Sequence, residues 1–227
     1  LGVQSVDCRQ DGMALGEGPR ESWLFNSTIA GIETADVVLL VGVNPRTEAP
    51  VLNARLRKRW VVGALKVGVV GEQADLTYGY DYLGAGPATL AGLAKSKSDF
   101  VTALKSAKAP AIILGAGALN RADGGAVAKA AAGVAKTFGM TWNVLHSAAA
   151  RVGGLDLGFL PGPGGKTAGE VAAKGGADVL FLLGADEIDT SASKAFTVYL
   201  GTHGDQGAHK ADVILPGAAY TEKNGLY

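Results

Sequence analysis

Ala35-Asp36-Val37-Val38-Leu39-Leu40-Val41-Gly42-Val43-Asn44 is an almost unbroken apolar run that opens on Ala-Asp and closes through a glycine. It returns in degenerate form as Ala177-Asp178-Val179-Leu180-Phe181-Leu182-Leu183-Gly184-Ala185-Asp186. A shorter echo is Ala211-Asp212-Val213-Ile214-Leu215-Pro216. Apolar runs without polar alternation suit strands buried on both faces, as in a parallel sheet covered by helices. Two distant copies imply two similar α/β halves. In such sheets ligands sit beyond the carboxyl ends of the strands.

The rest of the chain supports an α/β reading. Of its 227 residues, 48% are hydrophobic and 19% charged, enough for a packed core and too apolar for a disordered chain. The 21 Lys and Arg balance the 21 Asp and Glu, so no global field favours nucleic acid or an acidic membrane. A single cysteine, Cys8, excludes an internal disulfide or a Cys-based metal cluster within these residues. No apolar run approaches the roughly 20 residues that span a bilayer. The termini, Leu1 and the Glu222-Lys223-Asn224-Gly225-Leu226-Tyr227 stretch, read as cuts inside a longer polypeptide.

Periodicity orders the elements. Leu1 to Glu21 reads as a loop, and Ser27 or Thr28 caps a short helix over 29–33. The first strand covers 36–43 and is followed by a turn at Asn44-Pro45-Arg46. Pro50 opens a helix to about Trp60, with Leu52, Leu56 and Trp60 as its apolar stripe. A strand covers 66–71, a weaker helix starts at Pro87, and Ser98 caps a helix that buries Phe100, Val101 and Leu104. The first lobe is expected to span 1–108 and the second 109–227. The second opens with a strand at 111–114, then a helix over 126–138 and a strand over 141–145. Residues 153–165 read as a Gly/Pro-rich surface loop. A short helix at 166–174 and strands at 178–183, 196–200 and 212–215 complete it. The expected fold is two Rossmann-like, doubly wound lobes with mainly parallel sheets.

Candidate site residues lie where strands hand over to helices. Gly115-x-Gly117-x-x-Asn120 has the context of a phosphate-holding turn, though Asn120 replaces the third glycine; the plainer reading is a sharp strand-to-helix turn. In Gly42-Val43-Asn44-Pro45-Arg46, glycine permits close approach and Arg46 suits a bidentate phosphate contact. Gly184 closes the equivalent strand of the second lobe. Arg55, Arg57, Lys58 and Arg59 form a basic patch, either docking an acidic partner or simply solvated. Asp186, Glu187 and Asp189 read as solvated surface. His146, His203 and His209 lack metal-site spacing, and Cys8 reads as a loop thiol. No nucleophile elbow is present.

Several segments together are more specific: Val6-Asp7-Cys8-Arg9-Gln10-Asp11-Gly12, 24–33 (Leu24 to Glu33), 42–55 (Gly42 to Arg55), Leu76-Thr77-Tyr78, Gly201-Thr202-His203-Gly204-Asp205-Gln206-Gly207 and 211–223 (Ala211 to Lys223). These resemble the large iron–sulfur subunit of NADH:quinone oxidoreductase, respiratory complex I, in its molybdopterin-oxidoreductase-like region. The resemblance runs over nearly the whole chain and is weakest over 84–109 and 162–176.

The resemblance implies a fold whose wider superfamily binds a molybdopterin guanine dinucleotide between two α/β halves. It implies a relative that kept the fold without the metal cofactor. The 2Fe-2S and 4Fe-4S clusters are expected in an N-terminal part of the subunit outside this chain, with FMN in a neighbouring subunit. Gly42, Asn44, Arg46, Gly115, Gly117 and Gly184 are then vestigial crevice residues, with no catalytic or metal-ligating residue expected. Partners would be other peripheral-arm subunits, met through Arg55, Arg57, Lys58 and Arg59, with no nucleic acid and no direct membrane insertion. The expected role is a non-catalytic part of an electron-transferring, proton-translocating oxidoreductase. Its expected place is the matrix side of the mitochondrial inner membrane, or the cytoplasmic face of a bacterial inner membrane. Two alternatives stand beside it: an active formate dehydrogenase-like molybdopterin oxidoreductase, and a nucleotide-binding module.

Overall fold

The computed structural model describes residues 2–15 and 18–225, so Leu1, Gly16, Glu17, Leu226 and Tyr227 of the expected loop and termini lie outside the described residues. The chain divides into a larger unit, Met13–Ser147, and a smaller unit formed by Leu1–Gly12 with Ala148–Tyr227.

The larger unit runs β1 (Val37–Val41), α1 (Pro45–Glu48), α2 (Pro50–Val61), β2 (Lys66–Val70), β3 (Asp81–Gly84), α3 (Pro87–Leu93), α4 (Asp99–Ser106), β4 (Pro110–Leu114), α5 (Ala116–Leu119), α6 (Gly124–Phe138) and β5 (Thr141–Val144). Its five strands are parallel in the order β3-β2-β1-β4-β5. The chain moves outward from β1 to β3, then crosses back to place β4 on the other side of β1. Right-handed crossovers therefore put helices on both faces. Every residue of β1 and β4 is buried, as their unbroken apolarity requires.

Successive side chains of β1 point to opposite faces. Val38 and Leu40 join Val67, Val69 and Ile113 in one core with Leu52 and Leu56 of α2. Trp60, the third residue of the expected stripe, is 38% exposed and leans on Tyr78 at a centroid distance of 6.3 Å. On the other face Phe100 of α4 packs against Gly68, where an added Cβ would come within 2.6 Å of the ring. Ser98 caps α4 by accepting from the Val101 N–H.

The expected boundary near Lys108 falls inside this sheet. β4 pairs with β1 along its whole length. The Asp36 carboxylate also accepts the backbone N–H groups of Lys108 (2.6 Å) and Ala109 (3.1 Å). Sequence periodicity located β4 but not its neighbour, because pairing of non-consecutive strands leaves no local trace. The strand β3 was not expected: none of its residues is buried and Tyr82 is exposed, so it lacks a strong apolar run.

The smaller unit holds α7 (Arg151–Asp156), α8 (Ala168–Ala172), β6 (Val179–Leu183), β7 (Phe196–Gly201) and β8 (Val213–Pro216). Its three strands are parallel in the order β6-β7-β8. The helix α7 occupies the start of the expected surface loop, its Arg151 buried and paired with Asp11 at 2.8 Å. A reciprocal Thr167–Glu170 capping box starts α8. Contrary to expectation, β6 is not buried on both faces. Leu180 and Leu182 are buried with Tyr199 and Ala208, whereas Val179, Phe181 and Leu183 are exposed.

No helix among the described residues is long and apolar enough to cross a membrane.

Candidate functional site

The chain reverses its direction of winding between β1 and β4, so a ligand of the larger unit would sit beyond their carboxyl ends. Three of the candidate glycines meet there. Gly42 has φ +55, and its N–H donates to Val70 O at 2.9 Å. A Cβ on Gly42 would stand 2.4 Å from the backbone nitrogen of Ala118, and one on Gly117 2.8 Å from the carbonyl oxygen of Gly42. A Cβ on Gly115 would strike Val43 at 2.6 Å. The two strand-to-helix turns are thus packed backbone against backbone. The glycines serve that contact, because none of the three positions leaves room for a side chain. The helix that follows, α5, is one turn long, and the N–H groups of Ala118 and Leu119 both return to Gly115 O.

Asn44 and Arg46 are also committed locally. Asn44 caps α1, its side chain accepting from Arg46 N at 3.1 Å, while its own N–H donates to Glu48 at 2.6 Å. Burial pushes the Glu48 carboxyl up, and the Asn44 N–H opposes this. The expected turn is therefore the start of a helix. The Arg46 guanidinium holds both the carboxylate (2.5 Å) and the carbonyl (3.0 Å) of Asp75. Backbone donation from Thr77, then Arg46, holds the Asp75 carboxyl below its usual range.

This loop is clamped from α2 as well. Asn53, fully enclosed, donates to Leu76 O (3.1 Å) and accepts from the Tyr78 hydroxyl (2.9 Å). Arg57 donates to Thr77 O at 3.3 Å. Thr77 sits at φ +70, a strained conformation for a β-branched residue. Sequence reading missed Asn53; a lone Asn on an apolar helix stripe was the available signal.

Of the basic patch, Arg55 and Lys58 both pair with Glu33, at 2.5 and 2.8 Å, which lowers the Glu33 carboxyl, Lys58 contributing most. The glutamate comes from a 3-10 turn, Gly31–Thr34, in the place where a short helix over 29–33 was expected; only its pairing with α2 left no trace in the sequence.

In the smaller unit Gly184 closes β6 at φ +62 and donates to Leu200 O at 2.7 Å. Beyond it lies a cavity of about 680 Å³ lined among others by Asp186, Glu187, Asp189, Asp205, His209 and Lys210. Asp186 differs from the solvated surface that was expected. It accepts from the buried Tyr199 hydroxyl and from Gly207 N, each at 3.1 Å, bracing the loop after β7. Glu187 accepts from Gln10 at 3.0 Å, and Asp189 from Ser191 N at 2.8 Å.

His146 stands 2.7 Å from Trp23 O and His203 2.7 Å from the Thr202 hydroxyl. Among the described residues no three His, Cys, Asp or Glu side chains are grouped to hold a metal. Cys8 is half-buried, and burial, followed by the nearby Asp7, pushes its thiol up. A thiolate ligand wants the opposite environment.

Comparison with known proteins joins these observations. The family model for molybdopterin oxidoreductase matches residues 1–227. The chain belongs to the molybdopterin oxidoreductase family. It is 40% identical to the mitochondrial NADH dehydrogenase [ubiquinone] iron-sulfur protein 1 of Solanum tuberosum, covering 100% of this chain and 31% of the relative. It is 45% identical to the mitochondrial NADH-ubiquinone oxidoreductase 78 kDa subunit of Neurospora crassa, covering 95% and 29%. It is 42% identical to an NADH-quinone oxidoreductase subunit of Rickettsia bellii, covering 100% and 33%. The chain thus spans about a third of the length of the curated relatives it matches.

The family name implies a pterin cofactor. At the switch point of the larger unit, the glycines that a pyrophosphate would need are packed turn against turn, and Arg46 is engaged by the exposed Asp75.

Proposed function

We propose that this chain is a structural, non-catalytic part of the iron–sulfur subunit of a proton-translocating NADH–quinone oxidoreductase. In that enzyme electrons pass from NADH through flavin and iron–sulfur clusters to quinone. The observation that carries the reading is similarity to such subunits over the whole chain, supported by the packing of the switch-point glycine turns on each other. The clusters belong to other parts of the subunit and FMN to a neighbouring one. The relatives are two mitochondrial proteins and a bacterial one, which supports a place on the matrix side of the inner membrane or its bacterial equivalent.

The partners are other subunits of the peripheral arm. The docking candidate is the exposed end of α2. Arg57 and Lys58 stand there beside Val61 and Val62, which are exposed. Charge with adjoining apolar surface suits a protein interface better than a solvated face does. Arg55 contributes less: both it and Lys58 pair with Glu33, but Arg55 is half-buried whereas Lys58 stays exposed.

Elemental analysis of the purified segment tests the central claim: molybdenum and iron should both be substoichiometric, and one metal per chain overturns it. Replacing Arg57 and Lys58 by Glu should weaken assembly of the whole complex while the segment's circular dichroism is unchanged. Normal assembly returns α2 to solvent.

A further inference from the structure

We infer that a segment of the same polypeptide outside residues 1–227 completes the smaller sheet. It supplies a helix across the open face of that sheet and a parallel strand beside β6.

The open face is uniformly apolar. Register places Val179, Phe181 and Leu183 of β6, Phe196, Val198 and Leu200 of β7, and Val213 and Leu215 of β8 on one side. All but Val198 of these eight are more than a third exposed. Such a continuous face exceeds what a monomer ordinarily leaves in water, and parallel sheets are covered on both sides. The local connections do not reach it. Ala185 and Ile188, between β6 and β7, and Ala208 and Ala211, between β7 and β8, all pack with Leu180, Leu182 and Tyr199 on the opposite face.

The larger unit shows what closes such a sheet. The repeated Ala-Asp strands make β1 and β6 equivalent, and the backbone agrees. Lys66 N donates to Asp36 O and Phe196 N to Asp178 O, both at 2.9 Å. Gly42 N donates to Val70 O and Gly184 N to Leu200 O, at 2.9 and 2.7 Å. In the larger unit the chain then returns through α4 to β4. That strand enters on the Asp36 carboxylate, and its outgoing turn packs on Gly42. In the smaller unit both seats are vacant. Asp178 is exposed, with no partner for its carboxylate among the described residues. A Cβ on Gly184 would meet nothing within 4 Å.

Handedness selects the route. A right-handed crossover from β8 back to the free edge of β6 reverses the direction of winding and lies on the apolar face. Relatives about three times as long as this chain have polypeptide to spare for it. The occupant is therefore an amphipathic helix with Leu, Ile or Phe at helical spacing, followed by a short apolar strand.

The test uses the complete subunit in its assembled complex. A photoreactive benzoylphenylalanine at Phe181 should cross-link, by peptide mapping, to a segment of the same polypeptide outside residues 1–227. Cross-links within residues 1–227, to another subunit or to a second copy, or no cross-link at all, overturn the proposal. Hydrogen exchange on the unmodified complex needs no substitution. The amides of β6 should exchange as slowly as those of the central strand β7; ten-fold faster exchange marks a free edge and refutes the added strand. Asp178→Ala should speed β6 exchange several-fold and Asp178→Asn, which keeps an acceptor, less so; equal, unchanged rates remove Asp178 from the seat.

Discussion

Gly42→Ala separates conformational strain from close packing at the switch point. An alanine at φ +55 carries the left-handed penalty, about 1 kcal/mol for a single residue. Its methyl would also arrive 2.4 Å from Ala118 N and 2.7 Å from Gly117 C, both backbone atoms that no rotamer change can clear. The two turns must part, and overpacking of this kind costs a further 1–3 kcal/mol or so. Gly139→Ala is the control, since Gly139 ends α6 at φ +62 with nothing within 4 Å of an added methyl, so only the roughly 1 kcal/mol of strain applies. Both changes lie in the larger unit, as do all three tryptophans, Trp23, Trp60 and Trp142. Urea unfolding followed by tryptophan fluorescence therefore reads both. Gly42→Ala should lower the midpoint two- to four-fold more than Gly139→Ala, at unchanged slope. Equal losses would mean that the turns are not in rigid contact.

Tyr78→Phe leaves the enclosed Asn53 oxygen without its donor and should cost about 1–3 kcal/mol in the same assay, with no loss meaning that the Asn53 link to Leu76 suffices. The Glu33 carboxyl should titrate by NMR below its ordinary 4.5, and Lys58→Ala should move it upward; a value at or above 4.5 contradicts the paired geometry. Because this folded-state value is lowered, the contribution is complete above 4.5 and is lost as pH falls through the lowered value. Glu48 works in the opposite sense, its raised carboxyl favouring the folded state below 4.5 and losing that as pH rises through its own value. Alkylation of Cys8 should accelerate only above pH 9.0, and an inflection below that marks an activated thiol.

The chain's own sequence determined every strand but β3 and most of the helices. Apolar runs such as Val37–Val41 and Pro110–Leu114, and stripes such as Leu52 with Leu56, are local signals of burial. The Ala-Asp repeat likewise disclosed the equivalence of β1 and β6, since both Asp backbones receive the neighbouring strand alike. Tertiary structure decided the rest. That β4 belongs beside β1, and not to a second lobe, depends on pairing across about 70 residues of chain, which local periodicity does not encode. Whether glycines hold a phosphate or a neighbouring turn, and whether arginines meet a ligand or Asp75 and Glu33, depends on which surfaces packing brings within a few ångströms. A residue type fixes what a group can bind; only the folded neighbours fix what it does bind.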